Sequence, residues 1–292
     1  MNPFIITVVL FSTFMHAGWN LLARNQRSEI AFFSRVLTII VFFGFIPAVL
    51  SETLTHSLSA KAWLCVIGSG SFCGMYYFFL AHAYGTSDFT TVYPVVRALP
   101  VILVAIGDVL RGRYPSYIGW IGILLVAFGC FLAPLYSLRS FEVRLYLNRR
   151  TLWMILAAFG TVGYTLLDKV ASESVMEGPA TAARYGYIFF LISAGAFNAL
   201  MRIFKVEGQA LKLVGWRYPF VAACLTFGAY WLVLWAYQLA QHASYIIAFR
   251  QFSIVIGVIL AFTMYKESGR VIRLTAVSLI AVGLICIGFW GR

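Results

Sequence analysis

The stretch Val92–Pro100, VYPVVRALP, decides how this chain is read. It lies inside a mostly apolar run spanning about 89–110, and it sets Arg97 between Pro94 and Pro100. A charged residue at the centre of a membrane helix costs roughly 2.5–3.5 kcal/mol on insertion scales and usually faces a cavity or a partner. Pro94 has no N–H to give the carbonyl of Thr90, and Pro100 has none for Val96. Freed carbonyls at membrane depth must be buried in protein or line water. The stretch therefore predicts a bent or broken helix, with Arg97 in a substrate or gating role. The alternative is a structural arginine bonded to those carbonyls.

Composition points the same way. Of the 292 residues, 62% are hydrophobic and 11% charged, against roughly 45–50% and about 25% in soluble domains. With a mean hydropathy of +0.88, the natural solvent is a bilayer, which each helix crosses with roughly 20 apolar residues. The net charge is +12, but the basic residues sit mainly in short connections between apolar runs. There they set orientation and face anionic headgroups. No basic stripe interleaved with aromatics points to nucleic acid. The five cysteines (Cys65, Cys73, Cys130, Cys224 and Cys286) all lie in apolar runs and form neither CxxC nor a cysteine–histidine cluster. No disulfide framework, metal site or cofactor is expected. MNPFIITVVLF at the N-terminus lacks the basic region and cleavage site of a signal peptide.

Ten apolar runs divide the chain, at about 4–22, 30–50, 60–84, 89–110, 117–136, 151–168, 179–203, 216–240, 244–264 and 271–290. Helices are expected because lipid forces backbone groups to be satisfied internally, and no ten-residue alternation suggests a barrel. The runs also repeat. GWNLLAR (18–24) resembles GYTLLDK (163–169), and FSRV (33–36) resembles AARY (182–185). GMYYFFL (74–80) resembles GAYWLVL (228–234), VYPVVR (92–97) sits where YIIAFR (245–250) recurs, and LLVAFG (124–129) resembles LIAVGL (279–284). Five matches in one order argue for duplication of a five-helix unit. An odd number of spans makes the second unit enter from the opposite side, giving an inverted repeat with its site near the midplane between the halves. The expected fold is an all-α integral membrane protein of ten transmembrane helices. Its repeats would be 1–137 and 151–292, joined by a basic linker at 138–150.

Three segments carry a resemblance: HAGWNLLAR (16–24), YPVVRALPVILVA (93–105) and RGRYPSYIGWIGILLVAFG (111–129), each with its second copy. On these the chain resembles the EamA-type transporters of the drug/metabolite transporter superfamily, over nearly its whole length. The loop after run four usually carries a glycine-glutamate-basic signature. Here it reads Gly112-Arg113-Tyr114, and the second copy reads Lys266-Glu267-Ser268. The resemblance implies a two-repeat carrier of the bacterial inner membrane, with a central cavity lined mainly by helices one, three, four, six, eight and nine. Orientation is read two ways. Thirteen loop Lys and Arg residues, Arg139, Arg144, Arg149 and Arg150 among them, share one side, here side A, against five on side B. That places side A in the cytoplasm and both termini outside, whereas similar carriers keep their termini inside.

Four arginines lie within spans, paired by the repeat: Arg97 with Arg250, and Arg35 with Arg184. Arg97 is about eight residues into its run, or ~12 Å, near the midplane. Arg35 and Arg184 are about five residues in, or ~8 Å, so they form a second candidate pair that snorkelling alone could satisfy. Asp108 is expected in an interfacial i,i+3 pair with Arg111, and Asp88 and Asp168 lie at run ends. The interior is thus read as more positive than negative. A substrate with a carboxylate, phosphate or phosphonate follows, anionic or zwitterionic, gripped by paired guanidinium hydrogen bonds. His16 is a candidate for proton coupling. Tyr76, Tyr230, Trp19 and Tyr164 are candidate cavity walls, and Gly70 and Gly74 form a GxxxG suited to close helix packing.

These features favour a secondary carrier for a small organic metabolite. No P-loop is present to use ATP. An enzyme would need nucleophile, base or metal ligands together, and no HExxH, acid pair or cysteine–histidine pair exists. A flippase of the same fold for a lipid-linked head group stays open at this stage. No obligate protein partner is implied.

Overall fold

The computed structural model describes residues 1–24, 28–86, 89–135, 151–206, 214–264 and 270–291; side chains at 24, 84–94, 261–264 and 270 are not described. The linker arginines, Asp88 and the Lys266-Glu267-Ser268 copy therefore lie outside the described residues. The helices are α1 (Pro3–Arg24), α2 (Glu29–Thr55), α3 (Ala60–Thr86), α4 (Phe89–Leu110), α5 (Tyr117–Leu132), α6 (Thr151–Ser172), α7 (Pro179–Ile203), α8 (Arg217–Leu239), α9 (Ala243–Arg250), α10 (Phe252–Met264) and α11 (Arg270–Trp290). Among the described residues, eight helical segments are long and apolar enough to cross a membrane, with α9 and the start of α10 counting as one; α5 is shorter, at 16 residues. Their outer faces carry large apolar side chains. On α2, Phe42 is 76% exposed and Ile46 69%. Water would tolerate such a surface poorly, and lipid is its natural contact.

One expected feature moves. The helix is not broken at Pro94 and Pro100, because α4 runs through both. A proline deletes one backbone bond and fixes φ near a helical value, so a kink can absorb it. The interruption lies instead in the repeat-related ninth run, at Gln251 between α9 and α10. The carbonyls it leaves are answered locally. The Gln251 side-chain amide donates to the carbonyl of Ile247 at 3.1 Å, and the Ser253 hydroxyl donates to that of Arg250 at 3.0 Å. The sequence signal was RQFS (250–253), a polar cluster without proline in an apolar run.

The packing exchanges the two halves. α3 packs most extensively on α6, and α1 packs on α8. α5 packs on its own repeat counterpart α11, and α2 on α7. α4 lies against α6, and α9 and α10 lie against α1. Replacing each helix by its counterpart returns the same set of neighbours. Small residues permit the closest crossings, as membrane interfaces require when apolar burial offers no gain over lipid. A Cβ on Gly122 of α5 would lie 2.7 Å from the carbonyl oxygen of Gly283 on α11, and one on Gly283 would lie 2.6 Å from that of Gly122. Gly70 and Gly74 press on α7 in the same way, against the carbonyls of Phe189 and Ser193. The Ser116 hydroxyl accepts from the amide of Gly119 at the start of α5 and donates to the carbonyl of Trp290 at the end of α11. After α4, Gly112 takes φ +73°, while the amides of Gly112 and Arg113 bond back to the carbonyls of Val109 and Asp108. This is a Schellman cap, and it gives the loop glycine a structural reason.

Leucine at Gly122 or Gly283 is expected to cost at least about 2 kcal/mol by forcing α5 and α11 apart. Gly195, with nothing within 4 Å of a built Cβ, should accept leucine with no loss. Thermal unfolding of the detergent-solubilised variants checks this, and equal behaviour of Gly122→Leu and Gly195→Leu would contradict the packing account.

Candidate functional site

A small cavity of about 30 Å³ lies between the two halves. Its walls include His16 and Trp19 of α1, Tyr76 of α3, Tyr164 of α6, Tyr230 of α8 and Arg250 of α9. At this volume it holds about two waters. The aromatic walls support one another. Tyr164 meets Tyr76 and Tyr230 edge-on, with ring centres 5.9 and 5.7 Å apart, and Phe189 stacks on Tyr230 at 4.8 Å. Six of the residues singled out in the sequence thus share one cavity. Tyr77, beside Tyr76 in the same aromatic group, also lines it, as do Cys73, Phe189 and Thr226, which nothing in their local sequence distinguished.

Of the repeat-related arginines, Arg250 lines the cavity, and Arg97 stands behind its wall, against His16. A guanidinium nitrogen of Arg97 lies 3.0 Å from Nε2 of His16. Nδ1 of the same ring accepts from the indole N–H of Trp19 at 3.2 Å. Arg250 places its guanidinium 5.5 Å from the centre of the Tyr230 ring, a cation–π contact. It sits at the C-terminal end of α9, beside the helix break, and among the described residues it has no carboxylate within 4.0 Å.

The second arginine pair is peripheral. Snorkelling does not describe Arg184, which donates to Ser57, Ser51 and Thr181 at 3.0–3.1 Å and lies 3.4 Å from Glu52. Buried Glu52 also accepts from Ser57 and from the amide of Leu58. This cluster ties α2 to α7 because an acid only four residues from the end of α2 folds inward to meet the arginine. Arg35 lies 4.6 Å over the Trp216 ring. Both arginines thus have protein partners, Arg184 a polar cluster and Arg35 an aromatic ring.

The interior is also less one-signed than expected. Asp168 is 1% exposed and accepts from Tyr185 at 2.7 Å and from Tyr230. Asp108 is fully buried, and its ion pair with Arg111 is a loose 3.7 Å. Its other oxygen accepts from the amide of Ser244 at 2.8 Å, capping the N-terminus of α9 from α4. Position near a run end hid both acids, because the folded ends turn inward. On side B, Glu173 joins the two halves. It meets Arg111 at 2.8 Å, Lys169 at 3.2 Å and Arg113 at 3.9 Å. No group of His, Cys, Asp and Glu residues suited to a metal occurs among the described residues.

A lipid-facing helical bundle enclosing a polar, aromatic cavity defines a multi-pass integral membrane protein. Residues 3–134 match the EamA-like transporter family, which belongs to the drug/metabolite transporter superfamily. Members of that family are transporters of small molecules, not enzymes. No curated protein matches the chain. Among solved structures 27 chains match. One, described only as the crystal structure of a protein, covers 100% of both chains with a TM-score of 0.69 at 14% identity, a likeness of fold.

The Glu173 cluster gives a pH signature. Burial pushes its carboxyl up, but Lys169 and Arg111 outweigh that and hold it below the ordinary glutamate range. A carboxyl lowered by folding contributes stability above its unfolded value of about 4.3, and that contribution fades as pH falls through the folded value. The thermal midpoint should therefore drop more steeply on acidification below about pH 4.3 in the wild type than in Glu173→Gln. Identical acid limbs would show that the cluster contributes nothing.

Proposed function

We propose that the chain is a secondary transporter of a small anionic or zwitterionic organic metabolite. It would work by alternating access between two inverted five-helix repeats, 1–137 and 151–292, that together span the membrane ten times. The observation that carries this reading is Arg250 in the wall of an aromatic cavity between the halves, with Arg97 behind it against the cavity residue His16. Guanidinium is suited to carboxylate, phosphate and phosphonate through paired hydrogen bonds. Trp19, Tyr76, Tyr164 and Tyr230 offer apolar faces to the rest of the substrate. The symmetric exchange of neighbours between α1/α8 and α3/α6 supports the inverted repeat.

The cavity is too small for a metabolite, so the described conformation is closed around it. Side B is fastened by contacts that cross the repeats: Arg111 to Glu173, Asp108 to the start of α9, and Met176 N–H to the carbonyl of Ser57. Opening on that side separates those contacts, and opening on side A leaves them intact. The break at Gln251 gives Arg250 a pivot, since α9 can turn without carrying all of α10. A bacterial inner membrane suits such a carrier, with the side A loops in the cytoplasm by the charge count.

The test is a thermal-shift screen of the purified protein against anionic, zwitterionic, cationic and neutral metabolites, with Arg97→Ala and Arg250→Ala beside it. A ligand at 100 times its dissociation constant should stabilise the wild type by about 2.7 kcal/mol. Anions or zwitterions are expected to do so, and to lose most of the effect in both variants. Stabilisation by cations or neutral compounds, equal in all three proteins, would overturn the anion reading.

A further inference from the structure

The buried carboxyl of Asp168 has no role in gripping an anion, and it sits where the two halves meet. We propose that Asp168 is a proton-binding site linked through Tyr230 to the central cavity, an assignment that deepens, and rests on, the transporter reading above. The geometry has three parts. First, Asp168 is 1% exposed, and among the described residues no basic nitrogen lies within 4.0 Å of it. Its neighbour Lys169 turns away, donating to the carbonyl of Tyr237 at 3.0 Å and pairing with Glu173. A buried carboxyl with no cation in contact can change its charge only by exchanging a proton, and ionisable groups inside membrane bundles commonly mark proton relays.

Second, Asp168 stands between two cavities. One of its partners, Tyr230, forms a wall of the central cavity and lies under the guanidinium of Arg250. On its other side Asp168 lines a separate cavity of about 10 Å³ with Ser172, Tyr185 and Gln238, room for about one water. Gln238 accepts there from the amide of Gly178 in the α6–α7 connection, on side B. The small cavity thus sets the carboxyl toward side B, and Tyr230 stands between the carboxyl and the central cavity.

Third, the hydrogen bonds are two-state. As a carboxylate, Asp168 accepts from both Tyr185 and Tyr230. Once protonated, it carries an O–H of its own and must donate it, so one of the three hydroxyls around it, Ser69, Tyr185 or Tyr230, turns to accept. Tyr185 has Ser69 at 3.3 Å to receive its proton. Tyr230 lines the central cavity, where a ligand can receive its proton. One proton bound at Asp168 therefore changes which hydrogen-bonding face Tyr230 presents beside Arg250, and by reciprocity cavity occupancy changes proton affinity. The other groups around the carboxyl are Cys65 and Cys73 from α3, Tyr237 from α8 and Arg250 from α9. Asp108 and Arg111 from α4 act on Lys169 instead. His16 is less suited to the role, because an imidazolium would point an N–H at two donors, Arg97 and Trp19.

Infrared difference spectroscopy of the full chain in lipid, titrated with acid and no ligand, reads the site directly. A protonated-carboxyl C=O band should appear in the wild type, vanish in Asp168→Asn and persist in Asp108→Asn. In Tyr230→Phe, which keeps the carboxyl but loses a donor to its charged form, the band's midpoint should move to higher pH by about 1–2 units. A band unchanged in Asp168→Asn, or a midpoint unmoved in Tyr230→Phe, would overturn the proposal. Because no ligand is used, a metabolite screen without hits would sink the transport reading and leave this site standing.

Discussion

A guanidinium inside a bilayer has to be answered by something other than lipid, and the bundle is arranged around the two that lie deepest. Arg97 faces the imidazole of His16, and Arg250 faces the ring of Tyr230. Among the described residues Arg250 has no acid within 4.0 Å, whereas the peripheral Arg184 lies 3.4 Å from Glu52. The distinction separates a structural arginine from one left with binding capacity, because a guanidinium engaged by a ring still has N–H groups to offer.

Holding two such charges at one cavity demands a rigid frame, and the frame is built from close crossings rather than bulky interdigitation. Gly122 on Gly283 joins α5 to α11, and Gly70 and Gly74 press α3 on α7. With those seams fixed, the softness is concentrated where the backbone is interrupted. Gln251 and Ser253 satisfy the freed carbonyls beside Arg250, so the break is stable without being stiff. Asp108 then anchors the opposite end of α9 from α4. The start of α9 is thereby held from across the bundle.

Much of this was legible in the sequence, for physical reasons. Runs of about twenty apolar residues mark helices because lipid leaves the backbone no other solution, and an intramembrane arginine advertises a cavity because its cost must be offset. Arg250, His16, Trp19, Tyr76, Tyr164 and Tyr230, picked out as intramembrane charged, titratable and aromatic residues, line one cavity, and Arg97 touches it through His16. The helix break was misplaced. Proline is a loud local signal, yet a helix pinned by neighbours absorbs it, while the RQFS interruption depends on side chains that satisfy carbonyls only once folded. The acids were underestimated for a related reason. Distance from a run end measures depth along a helix and says nothing of which way the end packs, so Asp108 and Asp168 looked superficial and are buried.

The central claim is that an anionic group sits between Arg97 and Arg250. Anomalous scattering from crystals soaked with a bromine-substituted anion that stabilises the protein locates that group without relying on activity. The account predicts a bromine peak inside the cavity walled by Trp19, Tyr76, Tyr164 and Tyr230, lost in crystals of Arg250→Ala. A peak only on the lipid-facing surface or among the side A loops would contradict it.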